Sequence, residues 1–330
     1  MLPIIAISIG DVNGIGPEVI LKSFDRSELF DLCRPVVYGP HEALEYFRKS
    51  IGIGVDIHRI DRPSVALEQR VNLISLDGAF DAAQIGKPTS ESGRISVAAI
   101  EAAYAATASG EAQAMVTAPI SKEAIAMAGS PYRGHTDMLA ALSGRGDEVL
   151  MILSSNTMNV GLVTIHVPIA DVTPLITRER VERTIRLGHQ SMDLDFGIED
   201  PKIAVLALNP HGGDGGLMGA EEYTVLGPAI AAMQAAGIDV EGPFPADGFF
   251  SAHSKQMYDL IVAMYHDQGL IPFKLQAKGR GVNVSAGLPI VRTSPDHGTA
   301  YNIAAHGLAS AESMKEAVYY ARTIAQNRLQ

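Results

Sequence analysis

Unbroken apolar runs, each stopped by a turn, constrain the fold of this chain more than any other feature. VGLVTIHVP runs to His166, AVLALNPHGGDGG to His211 and DLIVAMYHDQG to His266. A strand with one solvated face alternates apolar and polar residues, so continuous runs of this kind point to parallel strands covered by helices on both sides. The same grammar opens the chain, where IIAIS meets GDVNGIGPE and a helical pattern from Glu18 to about Phe24. RPVVYG, a helix from His41 to Lys49 and NLISL follow; an Ala-rich helix from about Ser96 to Ser109 leads into AMVTAP and another helix from Ser121. Helices are also expected from Arg178 to Met192, Ala220 to Ala236 and Ser310 to Leu329. Alternation of this kind predicts an α/β fold with a mostly parallel sheet.

At 330 residues, 47% of them hydrophobic, the chain has material for two packed lobes or one large α/β unit. No Pro-, Gly- or Ser-rich linker separates two halves, so lobes, if present, are interleaved. The formal net charge is -11 and the 26 Lys and Arg are scattered, which argues against a nucleic-acid-binding face. An anionic metabolite remains compatible, because a few convergent cations suffice. Cys33 is the single cysteine, no stretch approaches the length of a membrane span, and the amino terminus lacks a signal-peptide pattern. A cytoplasmic protein is expected.

In open α/β sheets ligands gather beyond the carboxyl ends of the strands, where His166, His211 and His266 stand, so the three imidazoles could converge on one metal. One such histidine alone is more often a satisfied polar residue; three in matching contexts are a candidate ligand set with a position left open. His211 opens a glycine-rich turn, and Asp267 follows His266, beside the proposed ion. No short-range ligand pair such as HExxH exists, so assembly has to be long-range. Two other stretches suit an anion. RGHTDML places His135 and Thr136 at a helix start, and FKLQAKGRGVNVSAGLPIVRTSPDHGTA carries Lys274, Asn283 and Arg292 among glycines. GDVNGIGPE looks like a dinucleotide fingerprint but has Val19 where the third glycine belongs, so a structural turn is the better reading of that segment.

Taken together, GIGPE, TAP, GHTDML, TIHVP, LNPHGGDGGLMGAEE, GPFPADGFF, AMYHDQG and KGRGVNVSAGLPIVRTSPDHGTA resemble the 4-hydroxythreonine-4-phosphate dehydrogenase family of vitamin B6 biosynthesis, in order and over nearly the whole chain. The resemblance implies a fold like that of isocitrate and isopropylmalate dehydrogenases, two α/β lobes around a cleft, with residues 1–130 and 286–330 on the cofactor side and 131–285 carrying metal, substrate and dimerisation functions. It implies NAD- or NADP-dependent oxidation of the C3 alcohol of 4-phosphooxy-L-threonine, followed by decarboxylation to 3-amino-2-oxopropyl phosphate. A divalent metal (Zn, Mg, Mn or Co) would be held by His166, His211 and His266, the third histidine coming from the partner subunit of a homodimer. Substrate would be bound by His135, Thr136, Lys274, Asn283 and Arg292. Cofactor contact is expected from Gly14 and Gly16 and, more strongly, from His297, Gly298, Thr299 and Ala300. Asp247, Asp267 and Lys274 are the candidate proton-transfer groups. The chain departs from the family pattern at DVN before GIGPE and at His306, both on the cofactor side. Rival readings are a D-threonate or D-erythronate 4-phosphate dehydrogenase, a metal-dependent aldolase or lyase on a phosphorylated sugar, and a noncatalytic metabolite-binding protein.

Overall fold

A computed structural model describes residues 2–251 and 257–329. Among them are twelve strands: β1 Ile4–Ser8, β2 Arg34–Gly39, β3 Ile57–Ile60, β4 Val71–Ser75, β5 Ala114–Thr117, β6 Leu150–Ser155, β7 Met158–Leu162, β8 Ile203–Leu206, β9 Val240–Phe244, β10 Leu260–Ala263, β11 Val282–Ala286 and β12 Arg292–Pro295. The chain divides into two compact units, one of residues 1–146 with 288–329 and one of residues 147–287. The crossings therefore fall at 146–147 and 287–288, where the sequence pattern suggested 130–131 and 285–286. His135 and Thr136 thus belong to the same unit as Arg292.

In the first unit six strands lie in the order β3-β4-β2-β1-β5-β12, every pair parallel. Their runs are apolar because both faces are covered: Ile5, Ala6 and Ile7 of β1, and Met115 and Val116 of β5, are fully buried. From β1 the chain winds one way to β2, β4 and β3 and the other way to β5 and β12. The reversal makes the carboxyl ends of β1 and β5 the topological switch point, where loops splay apart and ligands bind. The Ala-rich helix begins at Ser90, six residues before the expected start, because Thr89 and Ser92 form a reciprocal capping box that halts it there.

In the second unit the order is β11-β6-β7-β10-β8-β9. β7, β10, β8 and β9 run parallel, while β6 is antiparallel to both of its neighbours. β6 and β7 form a hairpin closed by Asn156 and Thr157, with Ser155 opposite Met158. This hairpin escapes a pattern search because both arms are nearly continuous apolar runs that look alike in either direction. Val160, Leu162, Ala204, Leu206, Ile261, Ala263 and Phe273 form the core beneath the histidine strands. Each of those strands also ends sooner than its apolar run suggests. β7 stops at Leu162, β8 at Leu206 and β10 at Ala263, so all three histidines stand beyond the strands, His266 as the first residue of helix His266–Ala277.

Candidate active site

Because β7, β10 and β8 are parallel neighbours, His166, His266 and His211 leave the same edge of the second unit's sheet. The first two are brought into register by hydrogen bonds that continue the β7–β10 pairing past the strand ends. Val163 N–H donates to the Ala263 carbonyl at 2.9 Å and Thr164 N–H to the Met264 carbonyl at 3.1 Å. Thr164 Oγ1 donates to the same Met264 oxygen at 2.7 Å. His166 and His266 each lie two residues farther on, and their ring centroids are 5.6 Å apart. Gln268 fixes the next strand: its Oε1 accepts from Met264 N–H at 2.7 Å and its Nε2 donates to the Ala207 carbonyl, just beyond β8, at 2.6 Å.

The paired rings line a cleft of about 430 Å³ whose other walls are Ile165, Val167, Ile169, Val172, Tyr265 and Asp267. Asp267 Oδ1 sits 2.7 Å from His266 Nδ1. A carboxylate on Nδ1 holds the proton there and leaves Nε2 as a free lone pair, the arrangement that commonly orients a metal-ligating imidazole. Asp267 is thus placed as an orienting group for His266. Its side chain is 70% exposed.

His211 is presented differently. Residues 211–215 all have positive φ, from 42° to 79°, including the non-glycine His211 and Asp214. Backbone of that kind persists only where its surroundings hold it. Here Asn209 is the anchor: its N–H donates to Glu222 Oε1 at 2.7 Å, and its Nδ2 to Glu221 Oε2 at 2.8 Å and Glu222 Oε2 at 3.0 Å. Burial acts to raise the Glu222 carboxyl, but the Asn209 hydrogen bonds outweigh it and leave the group below its ordinary value. Among the described residues no three His, Cys, Asp or Glu side chains form a metal-holding group. A single chain therefore offers a histidine pair with an oriented ring, which suits a divalent metal. The sequence pattern did not single out Asn209, Glu221 or Glu222; the acid pair thirteen residues after a turn carries no recognisable spacing.

Of the remaining candidates in this unit, Lys274 is exposed on helix His266–Ala277 and Asp247 is exposed on helix Ala246–Ser251. Asn283 lies on β11 with its Oδ1 buried and without a hydrogen-bond partner. That unmet acceptor is a place for a ligand donor.

In the first unit, His135 opens helix His135–Leu142 after Gly134. Its Nε2 is buried without a partner. Burial, with the Arg292 charge second, holds its pKa well below the ordinary value, so the ring is neutral. Arg292 is 2% exposed, and burial pulls its guanidinium down to about 9. Its Nε and Nη2 donate to Thr117 Oγ1 at 3.1 and 2.6 Å. A buried cation beside a neutral imidazole and free helix amides is an arrangement that an anion completes. Thr136 follows on the same helix, partly buried.

Gly14 and Gly16, expected at the cofactor, are buried and closely packed. A Cβ on Gly14 would meet Thr299 O at 2.8 Å, and one on Gly16 would meet Ile9 O at 2.5 Å. Ile15 N–H donates to the Thr299 carbonyl at 2.9 Å, so the turn lies directly under the segment His297 to Ala300. That segment is partly exposed, with Ala300 at φ 42° and His297 Nε2 buried and unpartnered. The unusual Asn13 serves the local structure, since its Nδ2 donates to the Lys87 carbonyl at 3.0 Å and to Thr89 Oγ1 at 3.2 Å. His306 is exposed.

A family model described as pyridoxal phosphate biosynthetic protein PdxA matches residues 31–321. A 4-hydroxythreonine-4-phosphate dehydrogenase of Prosthecochloris aestuarii is 46% identical over 329 residues, covering 98% of this chain and 97% of that one. The enzyme of the same name from Bacteroides thetaiotaomicron is 41% identical over 324 residues, covering 98% and 89%. The crystal structure of a Klebsiella pneumoniae 4-hydroxythreonine-4-phosphate dehydrogenase is similar over 99% of both chains, with 38% identity and a TM-score of 0.89. No helix among the described residues is long and apolar enough to cross a membrane.

Proposed function

This chain belongs to the pyridoxal phosphate biosynthetic protein PdxA family, and on that premise we propose that it oxidises the C3 alcohol of 4-phosphooxy-L-threonine with NAD or NADP. The resulting β-keto acid loses carbon dioxide to give 3-amino-2-oxopropyl phosphate. The observation that carries the reading at the level of residues is the His166–His266 pair, with Asp267 fixing the His266 tautomer in an apolar-walled cleft.

When bound, a divalent metal (Zn, Mg, Mn or Co) supplies Lewis-acid polarisation of the alcohol and then the ketone oxygen, and the nicotinamide accepts the hydride. His166 and His266 would hold the metal. His211 would complete the ligand set, one of the three histidines coming from the partner subunit of a homodimer. Ile165, Val167 and Val172 would give the cleft an apolar wall beside the metal ligands. His135, Thr136 and Arg292, with Lys274 and Asn283, would bind the phosphate and carboxylate. A neutral His135 can accept a hydrogen bond from the substrate or donate one to it without adding charge. Asp247, Asp267 and Lys274 remain the candidates for proton transfer, Asp267 acting first on His266. His297 to Ala300 would contact the cofactor, with Gly14 and Gly16 acting from beneath through Thr299.

The test is nicotinamide reduction at 340 nm by the metal-replete protein, offered 4-phosphooxy-L-threonine and D-threonate 4-phosphate in parallel with each cofactor. Turnover of the amino substrate, abolished by chelation, is the expected result. Preference for the threonate would move the enzyme to sugar-acid catabolism, and silence with both would overturn the dehydrogenase assignment.

A further inference from the structure

Asp11 is fully buried, and no cation is among its hydrogen-bond partners. Such a carboxylate is costly to keep unless hydrogen bonds compensate it. Three are in place. Asp11 Oδ1 accepts from Asn13 N–H at 2.9 Å, and Oδ2 accepts from Ser92 Oγ at 3.1 Å and from Tyr301 Oη at 2.7 Å. Ser92 and Asn13 belong to the scaffold: one sits in the first turn of helix Ser90–Ala108, and the other is tied to Lys87 and Thr89. Tyr301 is different, because it closes the segment that begins at His297. The carboxylate is also fixed through its own backbone, its N–H donating to the Pro119 carbonyl at 2.9 Å just beyond β5.

A second anchor lies in the helix that follows. Glu18, fully buried in helix Gly16–Phe24, accepts from Ala309 N–H at 2.9 Å and from Lys22 Nζ at 2.8 Å. Lys22 Nζ in turn donates to the carbonyls of Gly307 and Ala309 at 2.7 Å each. The stretch from Thr299 to Ala309 is irregular apart from one short turn at Tyr301–Ile303 and contains two non-glycine residues, Ala300 and Ala305, with positive φ. A segment like this has little structure of its own. Its shape is imposed at Thr299 by the Ile15 amide, at Tyr301 by Asp11, and at 307–309 by Glu18 and Lys22.

We infer that Asp11 and Glu18 are positioning residues for nicotinamide binding: from beneath, they hold the segment His297 to Ala309 in the form that receives the cofactor. The inference rests on the reading that His297 to Ala300 contacts the nicotinamide cofactor. It assigns the acid of GDVN and the acid of GIGPE a role that neither plays by touching ligand, since both are buried.

The experiment measures dissociation constants for NADH and NADPH by nicotinamide fluorescence in Tyr301→Phe, Asp11→Asn, Asp11→Ala, Glu18→Gln and His297→Ala, alongside KM for each substrate, kcat and thermal midpoint. Tyr301→Phe removes one hydroxyl from a partly exposed residue, so it reports on the anchor even if an Asp11 variant folds poorly. Loss of a charge-assisted hydrogen bond that holds the segment should weaken cofactor binding about tenfold, with KM for the cofactor rising in step. KM for the phosphorylated substrate should stay at the parental value in Tyr301→Phe, while the thermal midpoint falls modestly because Asp11 loses one of its three compensating hydrogen bonds. Asp11→Asn, which keeps an acceptor oxygen, should lose less than Asp11→Ala. Unchanged cofactor affinity in Tyr301→Phe, with His297→Ala impaired, overturns the positioning role alone. A parallel fall in every parameter overturns it in favour of plain structural support. Unchanged affinity in His297→Ala removes the premise about the cofactor segment and the inference with it.

Discussion

Two glycines in one turn should fail in two different ways when given a methyl group. Neither Gly14 nor Gly16 has a positive φ, so alanine fits both backbones and only the contact distance matters. At Gly16 the new Cβ would stand 2.5 Å from the Ile9 carbonyl oxygen, whereas ordinary contact begins at 3.4 Å. Something must give by about 0.9 Å. Ile9 is fully buried just beyond β1, its N–H donating to the Tyr38 carbonyl at 3.1 Å, and Gly16 is the first residue of helix Gly16–Phe24, so both sides are rigid. Overpacking of this order costs about 2–3 kcal/mol. At Gly14 the methyl would lie 2.8 Å from Thr299 O and 2.9 Å from its Cβ. Thr299 belongs to an irregular, partly exposed segment that can yield. Gly14→Ala should therefore leave stability within about 1 kcal/mol of the parent and weaken nicotinamide binding, whereas Gly16→Ala should lower the denaturant midpoint. Paired urea melts and NADH titrations decide it. A parental midpoint for Gly16→Ala would refute the rigid-contact argument, and intact cofactor affinity in Gly14→Ala would refute the coupling through Thr299.

Burial keeps His135 below its ordinary 6.5, so the folded chain stays unprotonated where the unfolded chain begins to bind a proton. Its contribution is therefore constant above about pH 6.5 and is lost as pH falls below that, by up to about 1.4 kcal/mol per pH unit. His135→Asn should show a shallower acid limb in urea melts from neutral to weakly acidic pH; superimposable limbs would contradict the neutral imidazole. Asp267→Asn should weaken metal binding by about 10- to 100-fold, read by calorimetry without substrate, because the His266 tautomer is no longer enforced; unchanged affinity would refute the orienting role. If His211 is supplied by a second copy, an equimolar mixture of His166→Ala and His211→Ala, refolded together, should recover about a quarter of parental activity, since half the dimers are mixed and each has one intact site. His166→Ala mixed with His266→Ala should recover none, and equal recovery from both mixtures would refute the assignment.

The apolar runs between turns were enough to establish the fold class, because a strand buried on both faces has to be apolar throughout whichever neighbours it acquires. The sequence also marked the ends of the apolar runs as the places where polar groups collect, and His166 and His266 do stand together just beyond β7 and β10. Gly14 and Gly16 were legible as a turn, and Gly16 does open the first helix. Pairing was another matter. That β7 lies beside β10, bringing His166 to His266, depends on which strands are neighbours, and similar apolar runs carry no label for that. The β6–β7 hairpin was hidden by the same degeneracy. Asp11 with Tyr301, Glu18 with Ala309 and Asn209 with Glu222 were equally invisible, since a buried acid is recognisable only when the fold shows what has closed over it. Local periodicity is written in adjacent residues, so the chain alone determined its elements and where their chemistry concentrates; contacts across hundreds of residues arise only when the sheet assembles, and the tertiary structure alone decided which of those groups meet.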